Sequence, residues 1–390
     1  MSYIEKLLAG VEVEWKALGD VADYEQPTKY LVKSKNYNDK FSTPVLTAGK
    51  TFILGFTDET KGVNKASEVP VIIFDDFTTA NKWVDFDFKA KSSAMKMIKS
   101  KDESQNLLKY IYYWLNTVPS GLVDGDHKRQ WISNYSLKEI PIPPLSVQKE
   151  IVRILDTFSE LTAELTAELT AELTARKQQY NYYREELFSF ENEEIEFKRL
   201  SEIGEFQRGK RFVKDDMISE GVPCIHYGEM YTHYDTSANK SRSFLSKELV
   251  ENKRLRTAEK GDVVIVAAGE TIEDIGKGTA WLGDVGVVIH DACFAYRSPL
   301  NPKYFAYFTR TKQFHDQIRK HVSSGKISAI HANGLGKVVI PVPSPEEQAR
   351  IVSILDKFDT LTTSISEGLP KEIELRKKQY EYYRDLLLTF

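Results

Sequence analysis

The stretches QKEIVRILDTF (148–158) and QARIVSILDKF (348–358) lie 200 residues apart and are identical at 7 of 11 positions. The stretches RKQQYNYYREEL (176–187) and RKKQYEYYRDLL (376–387) follow in the same register, with 8 of 12 positions identical. Just upstream, IPIPP (140–144) aligns with IPVPS (340–344). Ungapped matches of this length indicate a duplication. The sequence therefore predicts two copies of one unit, a globular domain followed by a long helix.

A further repeat precedes each domain, because EVEWKALGDV (12–21) matches EIEFKRLSEI (194–203). The N-terminal YIEKLL (3–8) also resembles the helix ends YREELF (183–188) and YRDLLL (383–388). We therefore expect the C-terminal helix to meet the N-terminus, giving a pseudo-twofold circular layout. The alternative of a duplicated scaffold without a function of its own remains open.

The first long helix is predicted from Ser146 to about Ser189, a stretch without Pro or Gly that carries apolar residues at helical spacing. A helix of roughly 44 residues would be about 65 Å long and needs a partner along its length. The other copy, 345–390, is the expected antiparallel partner in a coiled coil, although Gly368 and Pro370 predict a kink or break. The predicted spacer residues are Leu161, Leu165, Leu169, Leu173, Leu355, Phe358, Leu361 and Ile365.

A low-complexity run, three copies of Thr-Ala-Glu-Leu from Thr162 to Leu173, lies inside this helix. Each copy adds about 6 Å and about 40° of rotation, because four residues overshoot one helical turn. One base pair of B-DNA advances about 3.4 Å and about 35°. The run is therefore interpreted as an adjustable ruler between two duplicated domains, with a plain solvated helix as the alternative.

The predicted organisation comprises a first domain (1–145), a central helix (146–190), a second domain (191–344) and a C-terminal helix (345–390). Both domains are expected to be mixed, giving an α+β fold with two mixed α/β domains separated by two long antiparallel helices. Strand-like runs are TFILGF (51–56), VPVIIF (69–74), GDVVIVAA (261–268) and GVVIHDACFAY (286–296). Aromatic-rich helices are predicted at NLLKYIYYWL (106–115) and PKYFAYFTR (302–310).

Clusters of basic and polar residues in the two dissimilar domains are typical of nucleic-acid contacts. Lysines and serines suit phosphates, arginines suit guanine edges, and the tyrosine and glutamate add stacking or cytosine contacts. The alternative for any single residue is an ordinary solvated side chain. The candidate DNA-binding residues are Lys89, Lys91, Ser92, Ser93, Lys96, Lys99, Arg208, Lys210, Arg211, Tyr227, Glu229, Lys240, Arg242 and Lys326.

Composition favours a globular protein, with 41% hydrophobic and 28% charged residues. The net charge of -4 does not by itself indicate nucleic-acid binding, which depends on local patches. No apolar run reaches the ~18 residues of a membrane span, and the N-terminus has no basic signal-like region. Two cysteines, Cys224 and Cys293, are expected to be reduced thiols, and the predicted location is cytoplasmic.

Catalytic motifs are weak. Asn301-Pro302-Lys303-Tyr304 resembles the Asn-Pro-Pro-Tyr box of amino-methylating DNA enzymes, but Lys303 replaces the second proline, so a turn that opens a helix is the preferred interpretation. The seven histidines lack the spacing of a metal site. We therefore predict no catalytic residue, metal or cofactor. A stand-alone DNA methyltransferase and a coiled-coil adaptor without DNA contact remain as alternative functions.

The duplicated blocks and the Thr-Ala-Glu-Leu run together resemble the specificity (S) subunits of type I restriction–modification enzymes, over the whole chain. The run itself is similar to that of the type IC group. The resemblance implies two target-recognition domains, each reading one half of a split, asymmetric DNA site, with the helices fixing the gap. It also implies two methyltransferase and two restriction/translocase subunits as partners. S-adenosylmethionine, ATP and Mg would belong to those subunits.

Overall fold

The computed structural model describes residues 3–49, 51–119, 129–190, 195–269, 271–323, 327–364 and 367–390. The chain forms two compact units, residues 1–168 with 373–390 (unit 1) and residues 169–372 (unit 2). Each unit thus combines one globular domain with part of both helical segments. The mixture of helices and sheets confirms the predicted α+β class. Within the described residues, no helix has the length and apolar character that crossing a bilayer requires.

The first domain contains short helices and two sheets in which antiparallel pairs predominate. The helices are α1 (Tyr3–Leu8), α2 (Leu18–Val21), α3 (Leu108–Leu115) and α4 (Gln130–Ser133). The strands are β1 (Glu14–Ala17), β2 (Ala22–Glu25), β3 (Thr43–Leu46), β4 (Ile53–Thr57), β5 (Val71–Asp75), β6 (Asn81–Val84), β7 (Lys89–Ala90), β8 (Met95–Ser100) and β9 (Glu139–Ile142). The four-stranded sheet has the order β2-β8-β5-β6, the three-stranded sheet has the order β4-β3-β7, and β1 pairs with β9.

The core of unit 1 lies where α3 packs on this sheet and on the helical segments. It contains Ile72, Tyr110 and Leu155, each fully buried. Leu387 near the C-terminus belongs to the same core, and Ile4 of α1 packs against it. The predicted meeting of the C-terminal helix with the N-terminal segment is therefore confirmed inside unit 1.

The central helix α5 (Leu145–Glu186) runs unbroken for 42 residues. This confirms the prediction, which began one residue later and ended at about Ser189. It follows Pro143-Pro144, and the Thr-Ala-Glu-Leu run lies entirely within it. Alanine, leucine and glutamate favour the helix in this largely exposed run, in which Leu165, Leu169 and Leu173 remain half-buried.

The second domain repeats the opening strand but has different sheets. Its helices are α6 (Leu200–Ile203), α7 (Glu229–Thr232), α8 (Lys247–Lys253), α9 (Pro302–Phe308), α10 (Lys312–Arg319) and α11 (Ala332–Gly336). Its strands are β10 (Glu196–Arg199), β11 (Glu205–Arg208), β12 (Val222–Ile225), β13 (Ser237–Ala238), β14 (Ser243–Leu245), β15 (Thr257–Ala258), β16 (Val263–Val266), β17 (Ala268–Gly269), β18 (Gly278–Trp281), β19 (Val287–Ile289), β20 (Cys293–Arg297), β21 (Ser328–Ala329) and β22 (Val339–Val342). The two larger sheets have the orders β11-β20-β16-β18-β13 and β14-β12-β19-β15, and the remaining strands form the pairs β10-β22 and β17-β21.

The predicted strands and aromatic helices are present, with two corrections. The run 286–296 forms two strands, β19 and β20, because the chain turns at His290–Ala292 and the Cys293 amide donates to the His290 carbonyl. The run 261–268 contributes to β16 and β17, which belong to different sheets. The aromatic segments form α3 and α9, as predicted.

The C-terminal segment is two helices, α12 (Pro345–Thr363) and α13 (Gly368–Leu387), which confirms the predicted break. Gly368 has a φ of +78°, a conformation that strongly favours glycine. A Cβ at this position would also collide with the carbonyl oxygens of Thr360 and Leu361. The break therefore depends on Gly368, whereas Pro370 lies inside the first turn of α13, where proline is tolerated.

The two helical segments pack antiparallel in unit 1, as predicted. There the Phe158 and Tyr383 ring centroids lie 5.5 Å apart, and the Ser159 hydroxyl donates to the Tyr380 hydroxyl at 3.0 Å, so a rising residue number on one helix meets a falling number on the other. In unit 2 the two segments also contact each other, where Phe358 stacks on Tyr183 at 5.5 Å.

The predicted spacer residues occupy different environments. Leu161 is exposed, and Leu165, Leu169 and Leu173 are half-buried. Leu355 instead lies fully buried in the core of unit 2, where α12 packs on α9, so its assignment to the helix–helix seam is wrong. Among the remaining residues, Phe358 contacts the central helix, Leu361 is half-buried, and Ile365 lies outside the described residues.

Candidate nucleic-acid interface

A buried glutamine joins each domain to its helix. In unit 1 the Gln148 side-chain carbonyl accepts the Leu107 amide (3.0 Å), and its NH2 group donates to the Pro143 carbonyl (2.9 Å). In unit 2, Gln348 accepts the Asn301 amide and donates to the Pro343 carbonyl, both at 2.9 Å. The repeated glutamine therefore ties the start of the aromatic helix to the proline turn before the long helix.

Two tyrosines and a lysine on each aromatic helix repeat a second set of contacts. Tyr110 donates to the Pro141 carbonyl at 2.6 Å and Tyr304 to the Pro341 carbonyl at 3.0 Å. Tyr113 donates to Asp156 at 2.5 Å, and Tyr307 donates to Asp356 at 2.7 Å. The same two carboxylates pair with Lys109 and Lys303, respectively. The positions of both domains on their helices are therefore fixed by equivalent hydrogen bonds. We call this contact set, together with the buried glutamine, the frame.

The sequence interpretation missed the frame residues on the aromatic helices. Their signal was present as Lys-Tyr-x-x-Tyr at 109–113 and again at 303–307. This match covers only five positions and is flanked by different apolar residues, so it is much harder to detect than the longer repeated blocks.

Two members of the predicted lysine cluster in the first domain are buried, so the expectation that they contact phosphates is wrong. Lys89 is 2% exposed, pairs with Glu59 at 2.9 Å and donates to the Lys61 carbonyl. Lys96 is 0% exposed, lies 3.6 Å from Asp76, and its ammonium sits over the Tyr24 ring. Burial lowers the pKa of Lys96. Both lie in strands that are buried on both faces, since Lys89 and Ala90 of β7 and the four residues from Met95 to Ile98 of β8 are all buried.

The remaining members lie at or near the surface. Ser92 and Ser93 are exposed in the turn between β7 and β8. Lys91 is half-buried and donates to the Tyr37 hydroxyl at 3.1 Å. Lys99 pairs with Glu25 at 2.9 Å, which leaves it less available for a phosphate.

The structure adds a second segment to this surface. The Val32 amide donates to the Ala90 carbonyl at 2.9 Å, which places residues 32–40 beside the Lys91 turn. Lys33, Lys35 and Lys40 are exposed on this segment. A basic surface with a tyrosine is therefore built from two segments about fifty residues apart, as the 54-residue separation between Tyr37 and Lys91 shows. Only their pairing in the fold identifies it.

In the second domain the predicted cluster Arg208, Lys210 and Arg211 begins at the last residue of strand β11 and continues beyond it. Arg208 and Arg211 are exposed and Lys210 is half-buried. Gly209 allows the chain to cross the β19–β20 turn closely, because a Cβ there would collide with the carbonyl oxygens of Ile289 and His290. Exposed Arg256 joins the cluster by donating to the Arg208 carbonyl at 2.8 Å. These four residues form a basic edge.

The other candidates in this domain differ in availability. Lys240 and Arg242 are exposed, Tyr227 is half-buried, and Lys326 lies outside the described residues. Glu229 is only 9% exposed; its carboxylate accepts the His226 amide and the Ser243 hydroxyl. The predicted cytosine contact by Glu229 is therefore wrong, because both oxygens are used to hold a loop.

The methyltransferase-like box has a structural role. The Asn301 side chain accepts the amides of Lys303 and Tyr304 and so caps α9, with Pro302 in the first turn. This agrees with the helix-opening turn preferred from the sequence. In the described part of the chain, no group of three or more His, Cys, Asp or Glu side chains is arranged to hold a metal. Cys224 and Cys293 are buried free thiols, and burial raises the pKa of each to about 12.

A family model described as the type I restriction modification DNA specificity domain matches residues 10–175 and 192–375. The chain is 50% identical to the EcoR124I/EcoR124II specificity subunit of Escherichia coli, covering 100% of this chain and 97% of that one. It is 34% identical to a putative type I restriction enzyme specificity subunit of Haemophilus influenzae, covering 100% and 98%.

Solved structures share the fold. One chain, from work on complex assembly and conformational transition of the type I R-M system, has a TM-score of 0.65 at 18% identity, covering 96% of this chain and 97% of that one. The HsdS subunit of Thermoanaerobacter tengcongensis has a TM-score of 0.54 at 18% identity, covering 96% of both chains. The duplicated match and the full-length similarity lead to one conclusion: this chain belongs to the DNA specificity subunits of type I restriction–modification systems.

Proposed function

We propose that this chain reads a bipartite, asymmetric DNA site, with one half recognised by each domain. The observation that carries the proposal is the contrast within the chain. Equivalent frame contacts hold two domains whose sheets and basic surfaces differ. A frame that is kept while its contents diverge is what two readers of different half-sites require.

We further propose that the chain is not itself a catalyst. Methylation and cleavage would belong to two methyltransferase and two restriction/translocase subunits, which would bind S-adenosylmethionine, ATP and Mg. The use of Asn301 as a helix cap supports this division, because its side-chain oxygen accepts the backbone amides of Lys303 and Tyr304. The relatives' names, specificity subunits of type I restriction enzymes, support an assembly with other subunits of such an enzyme, whereas the copy numbers and cofactors follow from the resemblance alone.

Exposed aromatic side chains recur at equivalent positions of the duplication and suggest where identical partners dock. Trp15 and Phe197 are 52% and 47% exposed in the two opening strands. Tyr182 and Tyr382 are 62% and 63% exposed near the ends of α5 and α13. Large exposed aromatics are enriched at protein interfaces. We assign them to the two methyltransferase copies, since a DNA-reading role would not require the same residues twice.

The Thr-Ala-Glu-Leu run is proposed to set the gap between the half-sites, as in the type IC group. Deleting Thr166–Leu169 shortens α5 by about 6 Å and rotates its far end by about 40°. We expect the reconstituted methyltransferase complex to select a shorter gap while both half-sites stay the same. Methylation mapping on a genomic library measures both quantities.

A matched control carries the two substitutions Thr166→Ala and Glu168→Gln, which change the sequence of the run and keep its length. This variant should leave the gap unchanged. Altered half-sites in the deletion variant would contradict the ruler, and the absence of any sequence preference in the wild-type complex would favour an adaptor without DNA contact.

A further inference from the structure

Two histidines lie side by side at the ends of adjacent parallel strands in the second domain. Strand β12 pairs in parallel with β19, and His226 and His290 are the first residues after these strands. Their ring centroids are 4.7 Å apart. The carboxyl ends of adjacent parallel strands are recurrent ligand sites, because the segments that follow them converge at one edge.

We propose that His226, positioned by His290 and flanked by Tyr227, reads a base edge within the half-site of the second domain. This inference rests on the proposed function and names the residue that discriminates. The favoured target is a base with hydrogen-bond acceptors in the major groove, and guanine is the first choice.

An aromatic floor makes the position of His226 rigid. Phe212 is fully buried, with its ring centroid 5.2 Å from His290 and 5.9 Å from His226. Tyr227 lies at the rim, 4.6 Å from His226 and 5.1 Å from His290. A side chain that is packed on several sides loses little conformational freedom on binding, which favours selective contacts.

Hydrogen bonds fix the orientation and tautomer of His226. Its backbone amide donates to the Glu229 carboxylate at 2.9 Å, and its Nδ1 accepts the Gly228 amide at 3.3 Å. The proton of the neutral ring is therefore assigned to Nε2, which becomes a donor. Burial lowers the pKa of His226, so the ring is neutral at neutral pH.

Basic residues adjoin the histidine pair, together with two carboxylates: Glu229, which accepts the His226 amide, and Asp291, which lies 3.0 Å from the His290 Nδ1. The basic edge formed by Arg208, Lys210, Arg211 and Arg256 adjoins the pair, since Arg208 donates to the carbonyl of Asp291, next to His290. Phosphate contacts of such residues set the register, while groove contacts discriminate bases. A neutral N–H donor matches an acceptor, and guanine presents two acceptors, N7 and O6, in the major groove. The basic edge would thus attract the DNA phosphates, while the Nε2–H group of His226 supplies one oriented donor for a base.

The test uses the full chain reconstituted with its methyltransferase partner and methylation mapping. His226→Phe removes the donor and keeps an aromatic ring. We expect a loss of discrimination of about tenfold at one position of the second half-site, with the first half-site unchanged. His226→Gln retains an N–H donor and should recover part of the preference. Retention of the wild-type preference by His226→Phe would overturn the inference.

A chemical-labelling experiment on the wild-type chain tests the same contact if the His226→Phe variant does not fold. Diethyl pyrocarbonate labelling of His226 should fall at least severalfold on duplexes with the full site, and not on duplexes altered in the second half-site. Exposed His233 provides the reference for labelling. Equal labelling of His226 on both duplexes would refute base contact. A wild-type complex without any bipartite preference would instead refute the proposed function.

Discussion

The two frames, one in each unit, make nearly the same contacts and differ in one half-buried carboxyl group beside them. Gln148 and Gln348 make matching hydrogen bonds, as do Tyr113 and Tyr307. At the next helical turn, however, unit 1 has Ser159, and unit 2 has Asp359. Ser159 donates to the Tyr380 hydroxyl, whereas burial raises the pKa of Asp359 to about 6. The geometry of attachment is thus duplicated, while its electrostatics has diverged.

The strongest test of frame equivalence is to remove each glutamine. Gln148→Leu and Gln348→Leu leave buried backbone groups without partners, at about 1–3 kcal/mol per group. We expect each change to destabilise its unit by about 3 kcal/mol, with the larger loss for Gln148, which also donates to the Gln105 carbonyl. Calorimetric melting measures both. Exposed Gln178→Leu is the control. A loss in one unit only would show that the two glutamines are not equivalent.

The charge difference should appear as a pH dependence. A folded pKa of about 6, above the usual 3.8, means that Asp359 costs stability when it ionises, so the penalty grows as pH rises from about 4 through 6. Asp359→Ser should therefore gain about 2 kcal/mol at pH 8 and nothing below about pH 4.

The reciprocal change, Ser159→Asp, should create the penalty in unit 1. Its melting temperature should fall at pH 8 and recover at low pH, because an ionised carboxylate would lie near the Asp156 carboxylate, which accepts the Tyr113 hydroxyl that also contacts Ser159. Parallel melting curves from pH 4 to 8 for both variants measure the charge difference between the frames directly. A pH-independent difference would mean that packing, and not ionisation, distinguishes the two positions.

Removing one hydroxyl from each frame should give a smaller, matched effect. Tyr113→Phe and Tyr307→Phe each lose a hydrogen bond to a carboxylate that retains its lysine partner. We expect a loss of about 1–2 kcal/mol in each unit, measured by chemical denaturation. Tyr182→Phe, at an exposed position, should change nothing. Values that differ by more than about twofold would show that the frames are not energetically equivalent.

The smallest effects concern the diverged surfaces. Neutralising exposed Lys35 and Lys40 with glutamine should weaken DNA binding on all sequences and lower the salt-dependence slope by about 1 for each phosphate that is no longer neutralised. Lys89→Gln should leave that slope unchanged and destabilise the first domain, because Lys89 is paired with Glu59. Binding titrations at several salt concentrations separate the two. A lower salt-dependence slope for Lys89→Gln would show that Lys89 does contact a DNA phosphate.

The amino-acid sequence alone specifies the duplication, the long helices, the break near Gly368 and the family. These features follow from local patterns: identical blocks in one register, helical periodicity without proline or glycine in the first helix, and the closely spaced Gly368 and Pro370 in the second segment. Apart from threonine, the Thr-Ala-Glu-Leu run consists of strong helix formers, so local propensity is enough to predict that it is helical.

Which polar residues are available depends instead on the three-dimensional fold. Lys89 and Lys91 are two residues apart, yet the first is an internal ion pair and the second lies beside Tyr37 near the surface. His226 and His290 are 64 residues apart in sequence and become neighbours because β12 and β19 pair in parallel. The burial and proximity of these residues arise from strand pairing between segments that are distant in the sequence. Such pairing produces no local periodicity from which the sequence could predict it.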